Sequence, residues 1–362
     1  MFDDHANPAA REPHRLSAFS RRGFLGGAAG LAASGLLLGG SRAARAASNQ
    51  VIVSTWGGDY ERFLHEFVEA PLRAKGIQVL PDIGQPPARM TKLLAEKSLK
   101  TGQMDVVHLS DTDMFQMRQD GVLARIDYAQ VPRGKHIIKQ FYDDYSIPHI
   151  YSAQVLIYNP QHVMPVPDAF AAMWDAKYKG RVGIQRTAWV IWLQIATIVA
   201  GGSPTNYEPG KKLLMELKKN QPRIYPSQES LADGIASADV WLTPDWKARG
   251  YLWAKRGLPV KTAVPKEGAI PVTYRAAYAK NAPDPAPSLE YLNAMLEPKA
   301  QMDFGEQMGY VPTVTDVKLP ADLDSVIGFT EEQRSKFFHV DFAYVAANNN
   351  AWLQWWNEEF LA

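Results

Sequence analysis

The chain has 362 residues, with 39 Lys and Arg against 38 Asp and Glu, and no cysteine. Without thiols it has no disulfide, no thiolate metal site, no cysteine nucleophile and no covalent c-type haem. A near-neutral balance gives no electrostatic footprint for nucleic acid or an anionic membrane, and the length suffices for two medium domains or one large one.

The first element in chain order is Ser20-Arg21-Arg22-Gly23-Phe24-Leu25, a paired arginine that opens an apolar run reaching Gly40. Ala44-Arg45-Ala46 follows as a small-x-small cleavage site. Charged n-region, apolar h-region and small-residue exit predict a twin-arginine signal over residues 1–46, cut near Ala46. The run is rich in Gly and Ala and short of the ~20 strongly apolar residues a span requires, so a retained anchor is the alternative reading. No later run is long or apolar enough to cross a bilayer. Residues 47–362 are therefore expected to be soluble and periplasmic, with 33 basic and 35 acidic residues.

Val51 to Thr55 is a β-branched run that predicts a buried strand, broken by Gly57-Gly58. Asp59 is placed to cap the next helix, with Phe63, Leu64, Phe67 and Val68 on one face. A strand at Ile77 to Leu80, a helix marked by Met90, Leu93 and Leu94, and a strand at Asp105 to Leu109 complete a parallel α/β unit. The texture then changes. Ile150-Tyr151 and Gln154 to Tyr158 read as extended with no helix between them. A short helix around Phe170 to Trp174, a strand at Val182 to Ile184 and an apolar helix from Ala188 to Ala200 follow. Val240 to Leu242 predicts a strand, Trp246 to Arg256 a helix, Ile270 to Tyr278 another extended segment, and Leu289 to Phe304 two helices. Trp352, Trp355, Trp356 and Phe360 recur at helical spacing, as the docking face of a terminal helix does. Trp241 and Trp253 read as packing residues.

Five short motifs stand in a telling order: Asp105-Val106-Val107 with Gly121-Val122-Leu123; Tyr145-Ser146-Ile147-Pro148; Trp174 with Tyr178-Lys179-Gly180; Val264-Pro265-Lys266-Glu267-Gly268; and Gly309-Tyr310-Val311-Pro312-Thr313. In these the chain resembles the periplasmic solute-binding proteins of ABC importers, in particular the spermidine/putrescine receptor group. The resemblance implies an α/β, two-lobed periplasmic binding protein fold of type II-like character with a hinged interlobe cleft. Lobe 1 would take residues 47–152, lobe 2 residues 153–270, a return segment to lobe 1 residues 271–318, and a segment packing on lobe 2 residues 319–362. The lobes would close on ligand about the segments near Ala153 and Tyr274. The partners implied are a small-molecule ligand, a membrane-embedded ABC importer permease and the Tat export machinery, with no nucleic acid and no cofactor.

Ligands of open α/β sheets sit beyond the carboxyl ends of strands, where helix N-termini offer free N–H groups. Three such places are Trp56-Gly57-Gly58-Asp59, Ser110-Asp111-Thr112 and Arg186-Thr187, which makes Gly58, Ser110, Thr112, Arg186 and Thr187 candidate ligand contacts. Trp56 at a strand end reads as a cleft wall, or else as a core tryptophan. From the resemblance, Trp246, Tyr310 and His339 match cleft positions of the polyamine receptors, although a lone histidine in an apolar run is more often a core residue. Where those receptors place acids, this chain has Thr187, Val190 and Tyr274. A polyamine would lose water around several charges with few anions to replace it. Arg186 and Arg275 stand beside two of these positions and suit a carboxylate, while Asp111, Asp113 and Asp245 remain for one amine. The expected ligand is thus a small organic acid or zwitterion, amino-acid-like. The alternatives are a polyamine receptor, a ferric-ion receptor in which separated tyrosines meet, and a Tat-exported enzyme. The enzyme reading lacks a nucleotide fingerprint, a His-x-x-x-His pair and a Gly-x-Ser-x-Gly elbow. Replacing Arg21 and Arg22 by Lys is expected to block export. Fractionation of cells that express this variant checks it, and undiminished periplasmic protein would contradict the signal assignment.

Overall fold

The computed structural model describes residues 49–362; the predicted signal, its paired arginines and its cleavage site lie outside the described residues. The first unit is the expected one. Strand β1 (Gln50–Thr55) lies between β2 (Gln78–Ile83) and β3 (Val106–Ser110), parallel to both. Val51 and Val53 are buried, as β-branched residues of a central strand are. Asp59 does not cap the following helix. The cap position is Gly58, at φ 72°, a left-handed turn that favours glycine, so Asp59 becomes the first helical residue and pairs with Arg62 instead. The helix Asp59–Phe63 widens into a π-turn at Leu64–Val68 before it resumes at Glu69–Ala74. Phe63, Leu64 and Val68 thereby reach the core, and Phe67 stays half-buried, stacked on Phe63 at 5.2 Å.

Beyond β3 the two extended segments merge into one strand, β4 (Ile147–Tyr158), all twelve residues of which are buried. Its first half pairs antiparallel with β9 (Ile270–Tyr278) and, at Ile150 and Tyr151, with β10 (Val311–Pro312). Its second half pairs with β7 (Leu242–Trp246) and β8 (Lys261–Ala263). The result is an eight-stranded sheet ordered β10-β4-β9-β3-β1-β2, with β7 and β8 added on β4. A two-stranded parallel sheet, β5 (Gly183–Gln185) with β6 (Arg223–Tyr225), is tied to β7 by a bridge between Val182 and Leu242. The strand expected at Val240 begins two residues later, because Ala238 takes φ 58° and turns Val240 into the packing of Leu231 and Ile235. Helices Glu208–Leu217 and Gln228–Ala236 escaped the sequence reading; the second opens on a Ser227–Ser230 capping box.

Two main apolar cores flank β4. One gathers Val51, Val68, Ile150, Leu292, Phe304 and Tyr310; the other Leu156, Phe170, Trp192, Leu214, Leu242 and Ile270. Val345, Trp352, Trp356 and Phe360 belong to the second core, in keeping with a terminal helix, Phe342–Trp355, that docks by its apolar face. That helix also reaches the first unit, where Phe342 meets Phe115 of helix Asp111–Gln119 at 5.9 Å. Residues ahead of it turn elsewhere: Phe329 and Phe337 pack with Tyr151 and Val311. Among the described residues no helix is long and apolar enough to cross a membrane.

Gly268 joins the crossover to the C-terminal segment. Its φ of 105° suits glycine, and a Cβ there would run into the Lys336 carbonyl oxygen. Gly268→Ala is expected to destabilise by about 1–3 kcal/mol or more, read as a lower Tm in thermal unfolding. An unchanged Tm would contradict this close approach.

Candidate functional site

The carboxyl ends of β1 and β3 meet the middle of β9, and the side chains gathered there are aromatic. Trp56 lies 5.1 Å from Tyr274 and 5.3 Å from Tyr60, edge to face in both cases. Tyr274 lies 5.4 Å from Tyr310, and their hydroxyl oxygens are 3.5 Å apart. Burial pushes both hydroxyls above their usual range, the Arg249 guanidinium opposing it and the Asp245 carboxylate reinforcing it. Asp245, at the end of β7, is 5% exposed. Its oxygens accept from Gln228 Nε2 at 2.8 Å and from the Trp246 amide at 2.7 Å. Burial raises its pKa, with the two hydrogen bonds and Arg249 opposing. Arg249, on helix Lys247–Lys255, has a buried Nε without a partner. The charges of one carboxylate and one incompletely bonded guanidinium therefore reach the aromatic wall.

Behind Trp56 lies a second cation. The Arg89 guanidinium sits 4.1 Å from the Trp56 ring centroid, is 2% exposed, and donates from Nη1 to the His108 carbonyl. Its Nε and Nη2 have no partner. Burial lowers its pKa to about 10, which leaves it charged at neutral pH. The nearby Asp113 accepts instead from Ser110 Oγ at 3.0 Å; burial raises its pKa, with Ser110 and Arg89 opposing.

Of the residues named from sequence, Trp56, Tyr274 and Tyr310 come together, with Trp246 next to Asp245 and Ser110 opposite Tyr274 in the β3–β9 register. Gly58 and Thr112 are exposed at their helix starts. Arg275 departs from expectation. The period of two along β9 turns it to the face opposite Tyr274, where Nε bonds Asp111 at 2.5 Å and Nη1 the Phe141 carbonyl at 3.0 Å. Asp111 also accepts from the Thr273 amide, and its ion pair with Arg275 removes it from the set free to bind an amine. Arg275, Asp111 and the exposed His339 line a separate cavity of about 130 Å³ with Phe141, Thr273 and Phe338. Arg186 and Thr187 are exposed after β5, where Thr187 Oγ1 accepts from Gln185, while Val190 packs on the second core. Arg89, Arg249, Gln228 and Tyr60 were missed: Arg89 stands 33 residues from Trp56, and nothing in Pro86-Pro87-Ala88-Arg89 announces a buried cation. Among the described residues no cluster of three or more His, Asp and Glu side chains could hold a metal.

A sequence profile of the bacterial extracellular solute-binding proteins matches residues 67–330. No curated protein sequence matches. An ABC transporter structure from Clostridium perfringens superposes with a TM-score of 0.73 at 20% identity, covering 85% of this chain and 98% of that one. A spermidine/putrescine substrate-binding protein from Streptococcus pneumoniae gives 0.70 at 18%, over 84% and 98%. A binding protein from Agrobacterium tumefaciens in complex with agropinic acid gives 0.66 at 17%, over 86% and 99%. At such identities the likeness speaks for the fold, the two-lobed periplasmic binding protein fold.

Under the aromatic wall, Tyr60 Oη lies 2.8 Å from Nδ1 of His149, whose pKa burial pushes down to about 3. His108, 3.2 Å from Thr55 Oγ1, is pushed well below its usual value by burial, then by His149 and Arg89. Unfolding lets both imidazoles bind protons that the native state refuses. Stability is thus full above about pH 6.5 and is lost as pH falls below it, down to about 3 in the case of His149. His149→Leu should flatten the decline of the urea midpoint between pH 6 and 4; equal slopes in wild type and variant would refute the assignment.

Proposed function

Because the chain belongs to the bacterial extracellular solute-binding proteins, we propose that it is an exported receptor that delivers a small organic acid or zwitterion to the membrane-embedded permease of an ABC importer, without enzymatic activity. The observation that carries this reading is Arg249, whose charge reaches Tyr274, Tyr310 and Asp245 and whose Nε is buried without a partner. A buried donor without an acceptor is costly, and a ligand carboxylate supplies one in bidentate geometry. Asp245 offers one site for an amine, and Trp56 and Trp246 flank the apolar part. On this reading the acid group goes to Arg249; Arg186 is exposed and Arg275 is paired, which speaks against either as its partner. A polyamine would meet one such carboxylate where it needs several. The agropinic acid bound by one structural neighbour supports an acid ligand, and the polyamine name of another keeps the polyamine in the test.

A ferric-ion receptor is the second reading, favoured by the 3.5 Å approach of the Tyr274 and Tyr310 hydroxyls. A visible phenolate-to-iron band on titration with ferric nitrilotriacetate would support it.

Calorimetry with γ-aminobutyrate, simple dicarboxylates, putrescine and spermidine should show the acids and zwitterions binding and the polyamines weak or silent. Arg249→Met should cost the bound acid about 2–5 kcal/mol. The amine contact requires Asp245 ionised, and its pKa is raised. Zwitterion affinity should therefore fall, as pH is lowered, at a higher pH than an ordinary aspartate would impose. Tight spermidine binding with a harmless Arg249→Met would overturn the proposal.

A further inference from the structure

The Trp56 indole differs from an ordinary aromatic wall in having one face already taken by a cation. Arg89 lies 4.1 Å from its centroid and is nearly excluded from water. Among the described residues no carboxylate is bonded to that guanidinium. Of the two whose charge reaches it, Asp113 is held by Ser110 and Asp82 is paired with Lys92 at 2.9 Å. The edge contacts of Tyr60 and Tyr274 hold the ring against rotation away from Arg89. Trp56 nevertheless remains half-exposed at the strand end.

An aromatic face attracts a cation because its π-density is negative. A guanidinium on one face draws that density towards itself, and its positive field passes through the ring at low dielectric. A second cation brought to the ring meets a weakened quadrupole and a like charge. A carboxylate, acyl or amide group meets neither penalty.

We propose that Arg89 is the specificity-determining residue of the aromatic wall: seated against Trp56, it turns an indole that would favour ammonium groups into one that favours the uncharged chain and acyl part of an acid ligand. The inference rests on the acid or zwitterion reading for its ligand class, but it concerns a different residue and a ratio of affinities. It makes Arg89 a positioning and electrostatic residue that acts through Trp56 without touching the ligand.

The test compares glutarate with putrescine by calorimetry in wild type, Arg89→Met and Arg89→Lys. Loss of the charge should shift the affinity ratio towards putrescine by about tenfold, and Arg89→Lys should stay near wild type. The shift should vanish when Trp56→Leu is added to Arg89→Met, because the ring transmits it. Both ligands weakened alike in Arg89→Met, or an undiminished shift without the ring, would overturn the inference. A measurement free of ligand and of changes at Arg89 stands beside it: quenching of the fluorescence fraction lost in Trp56→Phe. In wild type, the iodide-to-caesium quenching ratio of that fraction should exceed the ratio for free N-acetyltryptophanamide; a ratio equal to or below that of the free indole would also overturn it. If wild type binds putrescine in preference to glutarate, the acid reading fails, whereas the ratio shift and the quenching order still decide the role of Arg89.

Discussion

Both halves of the molecule depend on one strand. β4 carries twelve consecutive buried residues, and its hydrogen bonds are divided between β9 and β10 at one end and β7 and β8 at the other. A strand buried on both faces cannot alternate polar and apolar residues, and the run from Ile147 to Tyr158 accordingly mixes aliphatic, aromatic and polar groups. Ser152 shows how the polar members are accommodated, its hydroxyl accepting from the Ala248 amide at 3.2 Å. Because β7 leads directly to Asp245 and β9 to Tyr274, the same strand sets the spacing between the carboxylate and the aromatic wall.

The arginines around this framework have unlike fates, and backbone periodicity decides between them. Tyr274 and Arg275 are neighbours in sequence and lie on opposite faces of β9. One joins the aromatic wall; the other binds the start of helix Asp111–Gln119 to the crossover strand through Asp111. Arg275 is therefore a tie between strand and helix. Arg89 and Arg249, by contrast, retain unbonded buried nitrogens. Buried donors are nearly always satisfied in folded proteins, so the rare exceptions call for an explanation.

Most of the architecture was legible in the chain. β-branched and apolar runs mark β1, β3, β9 and the helix Trp189–Val199, and the order of weak motifs brings out the two-lobed arrangement. The errors came where a local rule met a special backbone: Gly58 took the cap that Asp59 was expected to supply, and Ala238 delayed the strand expected at Val240. The aromatic members of the site, Trp56, Tyr274 and Tyr310, could be found because strand ends and the family resemblance both point to them. Arg89 and Arg249 could not. Each sits in a helix whose sequence resembles a solvated one, and only tertiary packing turns the charge inward.

The position of the helix Phe342–Trp355 has a consequence for the order of synthesis. Its Val345 and Trp352, with Trp356 and Phe360 beyond it, fill the core built by Phe170, Trp192 and Leu214, residues translated well over a hundred positions earlier. While the ribosome is still making the intervening chain, that apolar surface has no cover. The second half of the molecule stays open until Phe360 has emerged, although the strands that frame it are complete by Tyr278. A nascent chain of this design presents a long-lived sticky face, the kind of surface that holding chaperones recognise.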